Sequence, residues 1–303
     1  MRMGVLDIGS NTGHLLIVDA FRGGPPVPAH SFKEPLRLAE HLDAEQRVSP
    51  EGIARLVKYA VSATDEAAEK GCDTVLAFAT SAVRDAVNAE EVIAAVNAAT
   101  HLDLQVLPGE DEARLTFLAV RRWFGWSSGR LGVFDIGGGS LELAAGSDEQ
   151  PEVVSSLPLG AGRLTRERLD QGVSVPELRL AVRREIGQAA GPLLRGGSFD
   201  RAVATSKTFR SLARMCGAAP SADGPYVRRV FARQQLSRLV DELATCSTEE
   251  IAAMPGVSTD RAHQMRAGAV VAEATMDLFG VEELEICPWA LREGVLIEYL
   301  DHL

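Results

Sequence analysis

The stretch GVFDIGGGSLEL, from Gly132 to Leu143, joins two predicted strands through three consecutive glycines. Asp135 precedes these glycines and Glu142 follows them. Glycine lets the main chain approach a ligand closely and adopt positive φ, so successive N–H groups can point at one anion. A carboxylate at the end of a strand can hold a hydrated Mg²⁺ that bridges to a phosphate. Taken alone, the stretch fits an ordinary hairpin turn equally well.

A second stretch near the N-terminus repeats this pattern. Gly4–Gly9 reads GVLDIG and Gly132–Gly137 reads GVFDIG, with Asp7 and Asp135 in equivalent places. Both copies run from an apolar strand through Asp-Ile-Gly and a small polar turn into a second strand. The repetition predicts two domains of similar architecture, each with a strand–turn–strand loop. We expect the two loops to face each other across a cleft and to grip an anionic chain.

Strands and helices alternate along the whole sequence, which predicts an α/β fold. The helix predicted over residues 49–71 has Ser49 as its cap, Pro50 in its first turn and Gly71 at its end. The turn FGWSSGR, between Phe124 and Arg130, is the predicted domain boundary. This gives domains of residues 1–126 and 127–303, with the alternative that the last helix packs back on the first domain.

Composition narrows the choice of partner and compartment. The 303 residues carry a net charge of 31 − 42 = −11, which argues against a nucleic acid or an anionic membrane as the main partner. An anionic substrate is still compatible, because screening limits the repulsion to about 10 Å at 0.1 M salt. The four cysteines form no CxxC motif and no apolar run is long enough to cross a membrane. These features predict a soluble cytoplasmic protein with free thiols.

Other phosphate-binding motifs are missing, since neither GxxxxGK[ST] nor GxGxxG occurs at these loops. The sequence instead resembles the exopolyphosphatase / guanosine pentaphosphate phosphohydrolase (Ppx–GppA) family. The resemblance is carried, in order, by DIGSNT, ATSAVRDAVN, GEDEARLTF, DIGGGSLE, LPLGAGRLT and LREGVL. The segment ATSKTFRSLAR is most similar to short actinobacterial members. The resemblance implies two ribonuclease-H-like domains of the actin-like ATPase, sugar kinase and Hsp70 fold, with an active site in an interdomain cleft.

The resemblance also implies a reaction, in which water attacks the terminal phosphoryl group of inorganic polyphosphate and releases orthophosphate. Glu112 matches the position of the family's catalytic base, and Glu110 and Asp111 are close competitors. Acidic residues at the start of a helix also commonly have a purely structural role, because they interact favourably with the positive end of the helix dipole. We expect a glutamate beside a polyanion in a dry site to have a raised pKa, which helps it accept a proton from water.

Further site residues follow from the same motifs. Asp135 and Glu142 match the second phosphate loop, where they hold Mg²⁺ or orient the water, and Asp7 matches a metal-holding position on the first loop. Arg84 matches a phosphate clamp, and Lys207 is a second clamp candidate for which a solvated surface charge is an equal alternative. The predicted phosphate-binding residues of the two loops are Gly9, Ser10, Asn11, Thr12, Gly137, Gly138, Gly139 and Ser140. Arg37 and Arg261 are weaker candidates, and neither His14 nor His263 is assigned as a metal ligand.

Substrate choice stays open at several points. The chain ends at Leu303, without the additional C-terminal domains of long family members, so we expect a preference for short polyphosphate chains. Guanosine pentaphosphate is the alternative substrate, although ATSKTF replaces a glycine-rich turn common at this place in the family. A kinase or ATPase on the same fold, and a non-catalytic regulator that binds polyphosphate or an alarmone, are the remaining alternatives. The oligomeric state is undetermined, with a homodimer among the options.

Overall fold

The computed structural model describes residues 1–303, and their contacts divide the chain into two compact units. The first comprises Met1–Leu115 and Leu291–Leu303, and the second comprises Thr116–Ala290. The predicted boundary at residues 126 and 127 lies further along the chain than this division, which falls inside a helix. The Gly- and Ser-containing turn marks where that helix ends, and a turn signal carries no information about where the packing changes.

The secondary structure elements alternate as the sequence predicts. The strands are β1 (Arg2–Ile8), β2 (Thr12–Asp19), β3 (Val27–Pro35), β4 (Thr74–Ala79), β5 (Gln105–Val106), β6 (Leu131–Ile136), β7 (Leu141–Gly146), β8 (Val153–Leu157), β9 (Arg201–Ala204), β10 (Val230–Ala232) and β11 (Glu283–Ile286). The helices are α1 (Pro50–Glu69), α2 (Ser81–Arg84), α3 (Ala89–Thr100), α4 (Gly109–Phe124), α5 (Ala161–Leu164), α6 (Val175–Leu194), α7 (Ser206–Met215), α8 (Arg233–Leu243), α9 (Thr248–Ala252), α10 (Met265–Leu278) and α11 (Leu291–Asp301).

Each unit contains one mixed sheet, with five strands in the first unit and six in the second, and the two sheets share a common arrangement of strands. The first sheet has the order β3-β2-β1-β4-β5, and the second has the order β10-β11-β9-β6-β7-β8. In the first, β1 is antiparallel to β2 and parallel to β4. In the second, β6 is antiparallel to β7 and parallel to β9. The strands β6, β7, β8 and β9 therefore repeat the arrangement of β1 to β4. This confirms the predicted fold class, an α/β chain of two ribonuclease-H-like, actin-like units.

Strand register brings the two glycine turns to equivalent places. In the β1–β2 hairpin Asp7 lies opposite His14, and in the β6–β7 hairpin Asp135 lies opposite Glu142. The central strands are buried on both faces, as their nearly continuous apolar sequences predict. The buried strands fix the register, because a shift by one residue would turn every side chain to the other face. Each sheet therefore presents its Asp-Ile-Gly turn from a rigid hairpin.

Helices cover these sheets and close the cores. Helix α1 begins as predicted, with the Ser49 side chain accepting a hydrogen bond from the Gly52 amide and Pro50 in the first turn. Helix α11 packs on the sheet of the first unit, where Leu296 and Leu300 are buried together with Met3 and Val5. The end of the chain thus belongs to the core of the first unit. None of the helices has both the length and the apolar character that crossing a bilayer requires.

Candidate functional site

The first glycine turn, Gly9–Thr12, is held by its own hydrogen bonds. The Gly9 amide donates to the Thr12 carbonyl oxygen at 3.1 Å, and the Asn11 carbonyl oxygen accepts from the amides of Leu36 and Arg37. The Ser10 hydroxyl is buried and lies 3.0 Å from the hydroxyl of Ser81, the first residue of α2. The predicted loop is therefore rigid, and it is tied to the helix that carries Arg84.

Asp7, at the end of β1, has a partner that the sequence did not reveal. Arg292 Nη1 donates to Asp7 Oδ2 at 2.9 Å, and both side chains are about four-fifths buried. Arg292 lies in the LREGVL motif, so the sequence singled out the segment but gave it no partner. Because the two residues are 285 positions apart, no local pattern could have paired them.

Arg84 and Glu112, predicted as phosphate clamp and catalytic base, lie together as an ion pair. Arg84 also donates to the Leu107 carbonyl oxygen at 3.3 Å and to Asp85 Oδ1 at 3.0 Å. Glu112 is 7% exposed, whereas its competitor Glu110 is exposed. The register of the helix thus buries the residue that the motif selects.

The Arg84 guanidinium lies beside the Glu112 carboxylate in the folded chain. The raised pKa expected for this glutamate beside a polyanion in a dry site stays a prediction. An ionised carboxylate is the form that can accept a proton from water.

The second glycine turn packs against a later loop of the same unit. The Gly137 amide donates to the Ser140 carbonyl oxygen at 2.9 Å, and the Gly137 and Gly138 carbonyl oxygens accept from the amides of Ala161 and Arg163. A Cβ at Gly160 would collide with the backbone of Gly139 and Ser140. The LPLGAGRLT motif therefore supports the turn from behind through a glycine that permits close approach.

The first glycine of each turn does not use the conformational freedom that was expected. Neither Gly9 nor Gly137 has positive φ, and an added Cβ would lie 3.4 Å from the carbonyl oxygen of Thr12 or Ser140. These are ordinary contact distances, so an alanine would fit at either position. The fold alone therefore does not explain glycine there, whereas a ligand approaching the main chain would.

Asp135 and Glu142 lie side by side, because residues directly opposite in an antiparallel pair project from the same face. The fully buried Thr205 donates to Asp135 Oδ2 at 2.5 Å, and Ser156 donates to Glu142 Oε1 at 3.0 Å. Both carboxylates are thus oriented by hydroxyl groups, one from Ser156 in β8 and one from Thr205, directly after β9.

This donor set is better suited to a divalent cation shared with a substrate than to a metal held only by protein side chains. No three histidine, cysteine, aspartate or glutamate side chains are arranged as a metal-binding group. Mg²⁺ in phosphoryl-transfer sites is usually bound by one or two carboxylates together with substrate phosphates and waters. Asp135 and Glu142 provide such a pair.

His14, which was not assigned as a metal ligand, is buried and forms a hydrogen bond with the Ser31 hydroxyl at 2.9 Å.

The ATSKTF segment contains a strained residue where α7 begins. Ser206 has φ of 71°, a left-handed conformation that favours glycine. Lys207 follows, and its side chain is exposed overall. Nearby protein atoms partly desolvate its ammonium group, which lowers the pKa of Lys207 from its ordinary value of 10.5, and the positive charges of Arg210 and Arg261 lower it further. The structure therefore brings the predicted Lys207 and the weaker candidate Arg261 into one basic region of the second unit.

Arg37, the other weaker candidate, and the unassigned His263 each contact a residue close by in the sequence. The Arg37 side chain lies 3.8 Å from Glu40 and is nearly half exposed. His263 is hydrogen-bonded to its neighbour Gln264 at 3.2 Å.

The sequence is similar to known proteins over nearly its whole length. The model of the Ppx/GppA phosphatase family matches residues 17–303. Exopolyphosphatase 1 of Mycobacterium tuberculosis (strain ATCC 25618 / H37Rv) is 52% identical over 305 residues, covering 99% of this chain and 89% of that protein. Exopolyphosphatase 1 of Mycobacterium leprae is 51% identical over 305 residues, covering 99% and 90%.

Two solved structures share the fold over their full lengths. The crystal structure of an exopolyphosphatase from Cytophaga hutchinsonii superposes with a TM-score of 0.86 at 24% identity, covering 100% of this chain and 99% of that one. The Aquifex aeolicus PPX-GPPA enzyme gives a TM-score of 0.81 at 26% identity, covering 98% and 99%.

Proposed function

Because the chain belongs to the Ppx/GppA phosphatase family, we propose that it is an exopolyphosphatase, which hydrolyses the terminal phosphoryl group of inorganic polyphosphate and releases orthophosphate. The observation that carries the proposal is the buried pair of Glu112 and Arg84, in a chain that also holds the carboxylates Asp135 and Glu142 side by side at a glycine turn. The mycobacterial relatives at 51–52% identity are named exopolyphosphatases, which supports the same substrate class.

Glu112 is proposed as the general base. Its carboxylate takes a proton from the water that attacks the terminal phosphorus atom, while the bond to the leaving phosphate oxygen breaks. Arg84 holds Glu112 before substrate binds, and its guanidinium carries five N–H donors in a planar fork that also matches phosphate oxygens. When a phosphate shares Arg84, the attraction between Arg84 and the carboxylate weakens. The same arginine thereby binds substrate and makes Glu112 a stronger base.

Phosphoryl transfer requires mainly positioning and neutralisation of charge. We assign Asp135 and Glu142 to hold Mg²⁺, which when bound neutralises charge on the phosphate oxygens. The main-chain amides of Gly137–Ser140 and Gly9–Thr12 bind phosphate oxygens, and Lys207 with Arg261 adds positive charge in the second unit. Asp7 is assigned to orient groups at the first loop, since its carboxylate already carries an arginine partner. All four cysteines are free thiols, which fits a cytoplasmic location.

One assay tests the proposal. Phosphate release is measured from tripolyphosphate, long-chain polyphosphate, guanosine pentaphosphate and ATP, each with and without Mg²⁺. We expect Mg²⁺-dependent release from tripolyphosphate at a higher rate than from long chains. Faster release from guanosine pentaphosphate would favour the alternative substrate, and phosphate release confined to ATP would favour an ATPase.

Replacing the proposed base gives the first specific prediction. Glu112→Gln keeps the size and hydrogen-bonding capacity of the side chain but removes the proton acceptor, so kcat on tripolyphosphate should fall by about 10²- to 10⁴-fold. Glu110→Gln, in the same helical turn but exposed, should retain a rate near that of the wild type. Undiminished kcat in Glu112→Gln, or a loss confined to Glu110→Gln, would move the assignment to another residue.

A further inference from the structure

Helix α11 contacts two functional parts of the first unit at once. At its start, Arg292 donates to Asp7, the aspartate that precedes the first glycine turn. One turn and a half later, Glu298 accepts hydrogen bonds on both carboxylate oxygens from Arg114 of α4. Arg114 lies two residues after Glu112. The last helix therefore connects the first turn with the helix that carries the proposed base.

The contact with α4 is close and specific. A Cβ at Gly294 would collide with the backbone of Leu115, so the two helices approach to a distance that only glycine permits. The pKa of Arg114 is raised, chiefly by its hydrogen bond to Glu298. Backbone approach and ion pair together fix α11 against α4, which gives Arg292 a defined position.

The contact with Asp7 holds one oxygen of the carboxylate and leaves the other directed at the turn. Asp7 Oδ2 accepts from Arg292 Nη1 at 2.9 Å. Asp7 Oδ1 lies 4.0 Å from the position that a Cβ of Gly9 would occupy. The hydrogen bond from Arg292 Nη1 thus restrains the rotation of the carboxylate relative to the first loop.

Arg292 makes this contact while one of its own donors has no acceptor. Its Nε is buried and has no hydrogen-bond acceptor, a situation that costs free energy and calls for an explanation. The pair is also about four-fifths buried, so solvent and salt screen it less than an exposed pair. A surface pair such as Arg2–Asp19, with side chains 41% and 56% exposed, has neither property.

We propose that Arg292 is a positioning residue for Asp7, and that α11 transmits this positioning from the helix bearing Glu112. The inference rests on the proposed function, because it assigns Asp7 to the first phosphate loop. Arg292 does not touch the reacting atoms. It holds the carboxylate in the orientation in which Oδ1 faces the loop, and a misplacement of about 1 Å at such a group can cost about 100-fold in rate.

The test combines kinetics with hydrogen exchange on the full chain. Arg292→Met should lower kcat on tripolyphosphate by about 10- to 100-fold, with KM changed by less than about threefold. Arg292→Lys keeps a cation near Asp7 and should recover part of kcat. The matched control is Arg2→Met, which breaks an Arg–Asp pair between β1 and β2 at the end of the hairpin away from the loop, and it should leave kcat unchanged.

A double-mutant cycle separates positioning from general stability. If Arg292 acts through Asp7, the double variant Asp7→Asn, Arg292→Met should be no slower than Asp7→Asn alone. Losses that multiply in the double variant would overturn the inference, as would wild-type kcat in Arg292→Met. Where Arg292→Met fails to fold, Arg292→Lys is used in the same cycle.

Hydrogen exchange provides a readout that does not depend on activity. Amides of residues 7–13 should exchange faster in Arg292→Met than in the wild type or in Arg2→Met, because the turn loses a restraint. Unchanged exchange there would overturn the inference whatever the activity. A wild-type protein that releases no phosphate from any polyphosphate would instead overturn the proposed function and leave the exchange comparison to decide the role of Arg292.

Discussion

At Gly137 an added Cβ would lie 3.4 Å from the Ser140 carbonyl oxygen, whereas at Gly160 it would collide with the backbone of Gly139 and Ser140. Gly137 lies in the second glycine turn and Gly160 in the loop that supports it, and the two positions differ in why they are glycine. Gly160 is required by packing within the second unit. Gly137 is not required by packing, and the proposed function accounts for it by a phosphate that approaches the main chain.

This difference gives a prediction at the scale of single residues. Gly137→Ala should keep the free energy of unfolding within about 1 kcal/mol of the wild type, while kcat/KM on tripolyphosphate falls by roughly 10- to 100-fold because the amide can no longer approach the phosphate. Gly160→Ala should lose about 1–3 kcal/mol of stability through overpacking. Urea unfolding and steady-state kinetics measure both quantities. Full activity in Gly137→Ala would mean that the turn is an ordinary hairpin.

Ser206 shows what residue-level sequence reading missed. The sequence indicated that ATSKTF replaces a glycine-rich turn, but not that Ser206 itself takes the left-handed conformation with φ of 71°. Such a conformation costs a non-glycine residue about 1–2 kcal/mol. The neighbouring Thr205 donates to Asp135, so this strained turn adjoins the carboxylate pair. Backbone conformation of this kind is set by the strand and helix on either side.

At the scale of elements, ion pairs join three helices of the second unit. Asp277 of α10 accepts from Arg183 of α6 and Arg233 of α8. These arginines lower the pKa of Asp277 below its ordinary value of 3.8, with the hydrogen bond from Arg183 as the main cause. Because the pKa is lower in the folded state, the pair stabilises the fold above pH 3.8, and this contribution is lost as the pH falls through the folded pKa.

Asp277→Asn should therefore destabilise the protein at pH 7 by less than about 1 kcal/mol, since the pair is one-third exposed. The difference from the wild type should shrink as the pH falls below 3.8. Urea unfolding at pH 7 and at lower pH values measures it. Asp241→Asn, at the 67%-exposed partner of Arg179, should give no measurable change at either pH. A difference for Asp277→Asn that grows on acidification would contradict this reading of the pair.

Elements were the level at which sequence reading worked best. The cap of α1, the hairpin turns and the order of strands and helices all follow from local patterns that the structure reproduces. Local patterns did not show where the chain divides into two units. Helix α4 runs continuously from Gly109 to Phe124, and the division falls inside it. Local signals report where a helix ends, and the cores on which it packs are set by contacts distant in sequence.

At the scale of the whole molecule, binding and turnover must be separated to distinguish an enzyme from a regulator. Tripolyphosphate with Mg²⁺ should raise the Tm of Glu112→Gln, and a ligand at 100 times its Kd stabilises the folded state by about 2.7 kcal/mol. The wild type should show the same rise only until the substrate is consumed. Thermal unfolding after timed incubation measures this, with Gly137→Ala as a variant that should show a smaller rise. A lasting rise in the wild type, without phosphate release, would favour a non-catalytic binder.

The sequence by itself determined the duplicated Asp-Ile-Gly turns, the α/β alternation and the family, because each of these is written in residues close to one another along the chain. Only the tertiary structure decided that Arg292 holds Asp7, that Arg84 pairs with Glu112, and that the end of the chain completes the first core. The physical reason is that hairpin register and helix caps depend on neighbours a few residues apart. The charge and orientation of a buried carboxylate depend on side chains that only folding brings within hydrogen-bond distance.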